Sequence, residues 1–181
     1  HEQSVARTVE RRPDLLPASA GSGEWEIVPA VPADAGELLT LQRACWLQEA
    51  AANDSVAGIP ALQESLADVR EWLATWTSYV VRVDGRLVGA ARGRLVHQDA
   101  HGDGVWDIGR IMVAPDLQGR GLGRVLLEHI QDVAPAAATS YVLFTGFRSE
   151  ANLRMYKKAG FRLRRDLDAP PLAVVLTKPR R

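Results

Sequence analysis

Three glycines at alternate positions mark the segment of this sequence best suited to bind an anion. Gly119, Gly121 and Gly123 follow an apolar run typical of a strand and precede a run with helical spacing, and Arg120 lies between the first two. The first backbone N–H groups of a helix lack partners within it, and glycine brings them close to a ligand without an intervening Cβ. The spacing predicts a phosphate-binding loop, with a plain surface turn as the alternative.

Two common phosphate loops are excluded by the spacing. A P-loop requires G-x-x-x-x-G-K-[ST], and no Lys-Ser or Lys-Thr pair follows these glycines. The dinucleotide pattern G-x-G-x-x-G would require glycine three residues after Gly121, where Arg124 stands. The loop is therefore neither a P-loop nor a dinucleotide-binding loop of that type.

The elements around the loop predict a mixed sheet with helices. Residues 1–23 lack periodicity and are expected to form a flexible tail, and residues 24–181 are expected to form a single domain. The hydrophobic pattern predicts the order β-α-α-β-β-β-α-β-α-β-β, which indicates an α+β fold. Helices are predicted over residues 33–51, 61–76, 124–134 and 149–161.

Turn and cap residues support these boundaries. Asp84 and Gly85 predict a β-hairpin turn between two apolar runs. Asp34 is expected to cap the first helix and Ser149 the last, and Gly160 is expected to end that last helix.

Charge and cysteine content exclude several classes of protein. The net charge is zero, which argues against a general nucleic-acid binder, and no apolar run reaches the roughly 20 residues of a membrane helix. Residues 118–165 hold nine Lys or Arg against three acids, whereas residues 1–117 hold ten against seventeen, so one half suits a polyanion and the other a cation. The single cysteine, Cys45, cannot form an intrachain disulfide and is typical of a cytoplasmic protein.

The loop in its context resembles motif A of the GNAT N-acetyltransferases. That motif is a strand ending in V-x-P, here at residues 113–115, followed by Q/R-x-x-G-x-G/A at the start of a long helix, here at residues 118–123. Residues 145–161 are similar to the next strand-helix-strand unit of the family, with N-x-x-x-Y-x-x-x-G-F intact. The resemblance covers about residues 24–178 and implies a mostly antiparallel sheet of about seven strands flanked by about four helices.

The resemblance implies acetyl-CoA as the acetyl donor and no metal. The donor's pantetheine arm is expected to pair with Met112 and Val113, where a β-bulge opens a slot for the thioester and a backbone N–H polarises its carbonyl. Its pyrophosphate is expected on the backbone N–H groups of Gln118, Gly119, Arg120, Gly121, Leu122, Gly123 and Arg124.

Side chains near the loop are further candidates for holding the donor. Arg120, Arg124 and Lys157 are placed to meet its phosphates, although each could equally be a solvated surface residue. Asn152, in the second motif, is expected to contact the donor as well.

The same resemblance assigns the acid and the base. Tyr156 matches the family tyrosine that protonates the departing thiolate, and a phenol of pKa about 10 can protonate a thiolate whose thiol has a pKa of about 8.5. Asp107 is the candidate base for the amine proton. It precedes Val113 by six residues, which places both side chains on one face if the strand is regular.

The acceptor site is less defined by the sequence. Glu49, Asp54 and Glu64 could line a pocket for a cationic amine, although each could be a plain surface carboxylate. Residues 97–103 contain several metal-ligand side chains in an apparent loop, where no metal is expected.

The leading hypothesis is an N-acetyltransferase that acts on a small-molecule or peptide primary amine, as a monomer or homodimer with no nucleic-acid or membrane partner. A non-catalytic acyl-CoA-binding module on the same fold and a different nucleotide binder are the alternatives.

Overall fold

A seven-stranded sheet forms the centre of the molecule. The computed structural model describes residues 25–52, 59–96 and 104–180, so the tail at residues 1–23 and the metal-ligand segment at 97–103 lie outside the described part. The strands are β1 (Ile27–Pro29), β2 (Thr77–Val83), β3 (Arg86–Val96), β4 (Gly104–Val113), β5 (Ala138–Gly146), β6 (Arg162–Arg164) and β7 (Ala173–Pro179). They lie in the sheet in the order β1-β2-β3-β4-β5-β7-β6, and only β4 and β5 are parallel. The predicted mixed, mostly antiparallel sheet is confirmed.

Helices cover both faces of the sheet. The helices are α1 (Ala35–Ala52), α2 (Pro60–Gln63), α3 (Leu66–Thr75), α4 (Leu122–Asp132) and α5 (Glu150–Lys158). On one face, the indole of Trp106 in β4 donates a hydrogen bond to the carbonyl of Ile130 in α4. On the other face, Met112 of β4 shares a small cavity with Leu38 of α1 and Trp72 of α3. None of the helices in the described part of the chain is long and apolar enough to span a bilayer.

The segment predicted as one helix over residues 61–76 is in fact two. Glu64 has extended backbone dihedrals, and Ser65 starts α3 as its N-cap, with the Ser65 hydroxyl accepting from the Asp68 N–H and the Asp68 carboxylate accepting from the Ser65 N–H. This reciprocal cap gives both backbone N–H groups a hydrogen-bond acceptor. It therefore favours the start of a new helix at Ser65 over the continuation of α2. Glu64 lies in the break between α2 and α3, where its carboxylate binds Arg110 of β4.

The predicted turn at Asp84 and Gly85 is confirmed, because both residues have positive φ and join β2 to β3. Gly160 also ends its helix as expected, with φ +91°. The side-chain cap predicted for Ser149 is wrong, and Asp34 accepts a hydrogen bond from the Val31 N–H at 2.8 Å in the turn directly before α1. Asp34 binds the Arg82 guanidinium at 2.7 Å, and Ser149 stands at the N-cap of α5 but donates its hydroxyl hydrogen to Glu49.

Candidate active site

A β-bulge in β4 opens the sheet next to the glycine loop. Gly109 pairs with Arg92 of β3 and Met112 pairs with Ala90, so the two intervening residues of β4 lie opposite one residue of β3. Arg110, the first of these two, has φ +52°, in the left-handed region that a bulky residue rarely adopts. The bulge bends β4 at this point.

Beyond the bulge, β4 separates from β5. Their parallel pairing runs from Gly104 only as far as Ile108 with Leu143, although β4 continues to Val113 and β5 to Gly146. The second half of β4 therefore has no strand on this side within the described sheet. The gap can accommodate an extended ligand that pairs with β4 as an added strand would.

The bulge also changes which way the side chains of β4 point. Trp106 points toward α4. Because successive side chains of a strand point to opposite faces, Asp107 lies on the face covered by α1 and α3. Val113 lies on the α4 face, where a Cβ at Gly123 would be 3.7 Å from its Cγ2. The expectation that Asp107 and Val113 share a face is wrong, because it holds only for a regular strand.

The glycine loop begins α4 without a side-chain cap. Gly119 has φ +77° and Gly121, the N-cap of α4, has φ +87°. A Cβ at either position would meet nothing within 4 Å, so the backbone conformation and not crowding favours glycine here. Uncapped N–H groups at the start of α4, with the partial positive charge of the helix, suit an anion.

Gln118 joins this loop to β4 and α1. Its side-chain amide donates to the Val113 carbonyl at 3.2 Å and to the Gln48 side chain at 2.9 Å. The Cys45 thiol of α1 donates to the same Val113 carbonyl at 3.3 Å. The end of β4 is therefore held from two sides, while the opposite side faces the gap.

The cations around the loop are at the surface. Arg120 and Lys157 are exposed, and Arg124 forms an ion pair with Glu128 one helical turn later, at 2.7 Å. Both partners of that pair are more than half exposed, so it contributes little to stability. Each of these cations can turn toward a phosphate group.

Tyr156 is a buried residue of α5. Its ring packs edge-on against Phe161, with centroids 6.2 Å apart, and only 7% of the residue is exposed. Burial raises the pKa of Tyr156 above its ordinary value, and the negative charge of Glu49 raises it further. The phenol therefore stays protonated at neutral pH, as a proton donor must.

Glu49 connects α1 to the start of α5. Its carboxylate accepts hydrogen bonds from Ser149 and from the Asn152 side-chain amide, the latter at 3.2 Å. A glutamate predicted to face the acceptor is thus found beside the tyrosine and asparagine of the second motif. The sequence holds no local signal for this contact, because the residues are more than 100 positions apart.

The other two predicted acidic residues have different surroundings. Glu64 binds the Arg110 guanidinium and accepts a second hydrogen bond from Gln42 at 2.8 Å. Asp54 lies outside the described residues. Asp107 is mostly buried, with 15% of its side chain exposed, and its carboxylate is 3.5 Å from Arg94. Asp107 pairs with Val142 of β5, one residue before the pairing of β4 with β5 ends at Ile108.

Sequence reasoning missed a cluster of arginine and tryptophan side chains next to Asp107. Arg92 stacks between Trp72 and Trp76, 4.4 and 4.2 Å from the ring centroids, and Arg110 lies 4.9 Å from the Trp46 ring. The only signal in the sequence is Arg92 itself, an arginine within the apolar run of β3 whose neighbouring residues in that strand are buried.

Comparison with known proteins agrees with this geometry. Residues 37–161 match the acetyltransferase (GNAT) family. A curated relative, an "IAA acetyltransferase" of Azospirillum brasilense, is 34% identical over 104 residues, which cover 55% of this chain and 65% of that protein. The chain thus matches slightly less than two thirds of that relative's length.

Solved structures share the fold. The PaiA N-acetyltransferase of Thermoplasma acidophilum, in complex with coenzyme A, has a TM-score of 0.71 at 14% identity and covers 87% of this chain and 99% of its own. YncA from Salmonella typhimurium, solved with its cofactor acetyl-CoA, has a TM-score of 0.64 at 16% identity, over 87% of this chain and 94% of its own. Because the family match extends over more than half of the sequence and contains both motifs, this chain belongs to the GNAT family of acetyltransferases.

Proposed function

We propose that this protein is an acetyl-CoA-dependent N-acetyltransferase that acts on a primary amine. The observation that carries the proposal is the meeting of three features at the end of β4. Gly123 in the first turn of α4 lies close to Val113, in the unpaired half of β4, and to Met155, the residue before the buried Tyr156 on α5, since a Cβ at Gly123 would be 3.7 and 3.4 Å from their side chains.

The donor fits the residues present. The loop from Gln118 to Arg124 holds the pyrophosphate with backbone N–H groups, as helix N-termini do. Met112 and Val113 pair with the pantetheine arm across the gap. Asn152, oriented by Glu49, and the cations Arg120, Arg124 and Lys157 complete the donor site. These assignments rest on the uncapped loop and on the unpaired second half of β4.

Acetyl-CoA supplies the acetyl group as a thioester, which the amine attacks directly. In this mechanism the Asp107 carboxylate accepts a proton from the attacking nitrogen, directly or through water, and the Tyr156 hydroxyl donates its proton to the departing sulfur. A backbone N–H near Val113 donates to the thioester oxygen and stabilises the charge that develops there. The C–N bond forms as the C–S bond breaks, and both protons are accounted for.

The direct test is release of CoA thiol with a panel of primary amines. Turnover that is lost in Tyr156→Phe, with acetyl-CoA affinity retained, supports the proposal. Tight binding of acetyl-CoA without turnover of any amine would instead identify a non-catalytic acyl-CoA-binding module. Protection against thermal unfolding by ATP or NAD but not by CoA would identify a different nucleotide binder.

We further infer a cytoplasmic location, supported by the single cysteine, and a monomer or homodimer. Cell fractionation and light scattering on the purified chain test these two inferences.

A further inference from the structure

Arg92 is a buried cation with donors that the described residues leave unused. It lies in the middle of β3 with 8% of its surface exposed, and its Nε and Nη1 atoms are buried without a hydrogen-bond partner. The rings of Trp72 and Trp76 lie against its guanidinium but supply no acceptor for its N–H groups. A buried charge with unused donors is costly unless an anion binds it.

A second arginine lies beside it. Arg110 sits at the bulge, one residue after the Gly109 that pairs with Arg92, and its charge helps to lower the pKa of Arg92 to about 9. Burial is the larger cause. Arg92 still carries its charge at neutral pH, and the buried Nε of Arg110 also lacks a partner.

The nearby acids do not neutralise this cluster. Glu64 binds Arg110, and Asp107 lies 3.5 Å from Arg94. Within the described part of the chain, three arginines therefore face two carboxylates, both of which also act on the charge of Arg92, and the positive charges outnumber the negative ones by one. Glu64 also shows that a carboxylate fits against the exposed end of the cluster, where 15% of the Arg110 side chain and 20% of the Glu64 side chain reach solvent.

Gly109 leaves space next to Arg92. A Cβ at Gly109 would lie 3.5 Å from the Arg92 Nε and 3.5 Å from the Trp76 ring, in ordinary contact with both. The position has no positive φ that would demand glycine. A side chain at this position would therefore contact the buried Arg92 Nε directly, on the strand that also carries Asp107.

We propose that Arg92, with Arg110 beside it, binds a carboxylate of the acceptor, so that the acceptor is an amine that also carries an acid group, as amino acids do. This inference rests on the proposed function. Arg92 and Asp107 lie on the same face of neighbouring strands, so a carboxylate on Arg92 brings the amine of a small amino acid toward Asp107 and the gap. The acid is a recognition group and is not changed in the reaction.

The test compares amino acids with the amines obtained by removing their carboxylate, such as phenylalanine with phenethylamine and tryptophan with tryptamine. The readout is the ratio of the two kcat/KM values in thiol release. We expect wild-type protein to favour the acid-bearing member by about 10- to 100-fold, the range for a charge-assisted hydrogen bond. The ratio should fall toward 1 in Arg92→Met and Gly109→Ala, because kcat/KM for the acid-bearing member falls by more than kcat/KM for the decarboxylated amine.

Matched controls separate recognition from packing. Gly36→Ala adds the same methyl group in open space on α1, and Arg154→Met removes an exposed charge, so both should keep the wild-type ratio. A wild-type ratio near or below 1 would overturn the proposal. So would a ratio that survives both Arg92→Met and Gly109→Ala in folded protein.

Two further measurements keep the outcomes distinct. If no amine is turned over, the proposed function fails, and calorimetric titration with the same amino acids then tests the anion site alone. Binding that is lost in Arg92→Met supports the site, and no binding to wild-type protein overturns it. Acetate and inorganic phosphate are compared as competitors, and stronger competition by phosphate would overturn the assignment of the ligand as a carboxylate.

Discussion

The carboxylate of Glu49, near the end of α1, accepts a hydrogen bond from the side-chain amide of Asn152 on α5 at 3.2 Å. This contact joins the first long helix of the domain to the helix that carries Tyr156. It also places a negative charge close enough to raise the pKa of that phenol. Glu49 therefore holds the side chain of Asn152 and raises the pKa of Tyr156.

Replacing Glu49 separates its hydrogen-bonding role from its charge. Glu49→Ala removes the acceptor that orients Asn152, and we expect the KM for acetyl-CoA to rise about 3- to 10-fold, as the loss of one hydrogen bond predicts. Glu49→Gln keeps an acceptor and should raise KM less than about twofold. Steady-state kinetics at saturating amine measure both values. Glu150→Ala, at an exposed position of α5, is the control. Equal KM values for Glu49→Ala and wild type would refute the positioning role.

Tyr156→Phe tests the proton donor. The phenyl ring keeps the edge-on contact with Phe161, so the fold and the affinity for CoA should be retained, whereas kcat should fall about 10²- to 10⁴-fold. Single-turnover kinetics and calorimetry with CoA measure the two quantities. Tyr141→Phe changes another buried tyrosine, on β5, and should leave kcat within about twofold. A kcat unaffected by Tyr156→Phe would remove Tyr156 from the mechanism.

The pH dependence follows from the raised pKa of Tyr156. A phenol whose pKa is raised stays protonated to a higher pH than free tyrosine, so the proton donor is present throughout the range below its ordinary pKa of about 10. We expect kcat to show no fall due to Tyr156 between pH 8 and about 10. A pH profile of kcat at saturating substrates checks this. A fall near pH 8 that disappears in Tyr156→Phe would contradict the assignment.

Gly121→Ala and Gly36→Ala should change stability in opposite directions. Gly121 has φ +87°, and an L-residue there costs about 1–2 kcal/mol, which lowers the Tm by several degrees and displaces the start of α4. Gly36 lies in the first turn of α1 with open space around it, so alanine there should raise stability by about 0.5–1 kcal/mol. Thermal unfolding followed by circular dichroism measures both. Only Gly121→Ala should weaken CoA binding.

Cys45 should react slowly in the folded protein. Burial raises the pKa of its thiol to about 11, so at pH 8 about one thiol in a thousand is ionised. A disulfide reagent at pH 8 should modify it about 100-fold more slowly than in the unfolded chain, and the rate should rise as the pH approaches 11. The chain in denaturant is the control. Equal rates in both states would show that the thiol is not shielded.

Local features of this protein could be predicted from its sequence. The glycine loop and the helix with Tyr156 each depend on residues within a few positions of one another, so type and spacing were enough to place them. The helix break at Ser65 belongs to this class as well, because Ser65 and Asp68 have the spacing of a reciprocal cap. The spacing of Ser65 and Asp68 therefore indicates a helix start inside the segment 61–76.

Contacts between distant residues could not be predicted in this way. The Arg92–Trp72–Trp76 stack joins β3 to α3, and the Glu49–Asn152 bond joins α1 to α5. Alternation places Asp107 and Val113 on one face only in a regular strand, and the bulge that separates them depends on how β4 pairs with β3, which no alternation pattern records.

The extra residue at the bulge sets the phase of everything that follows it in β4. Deleting Ile111 would let β4 continue in register with β3, with Met112 still opposite Ala90, and would relieve the left-handed conformation of Arg110. A single residue therefore separates a strand that leaves its pairing with β5 from a regular strand that could continue it.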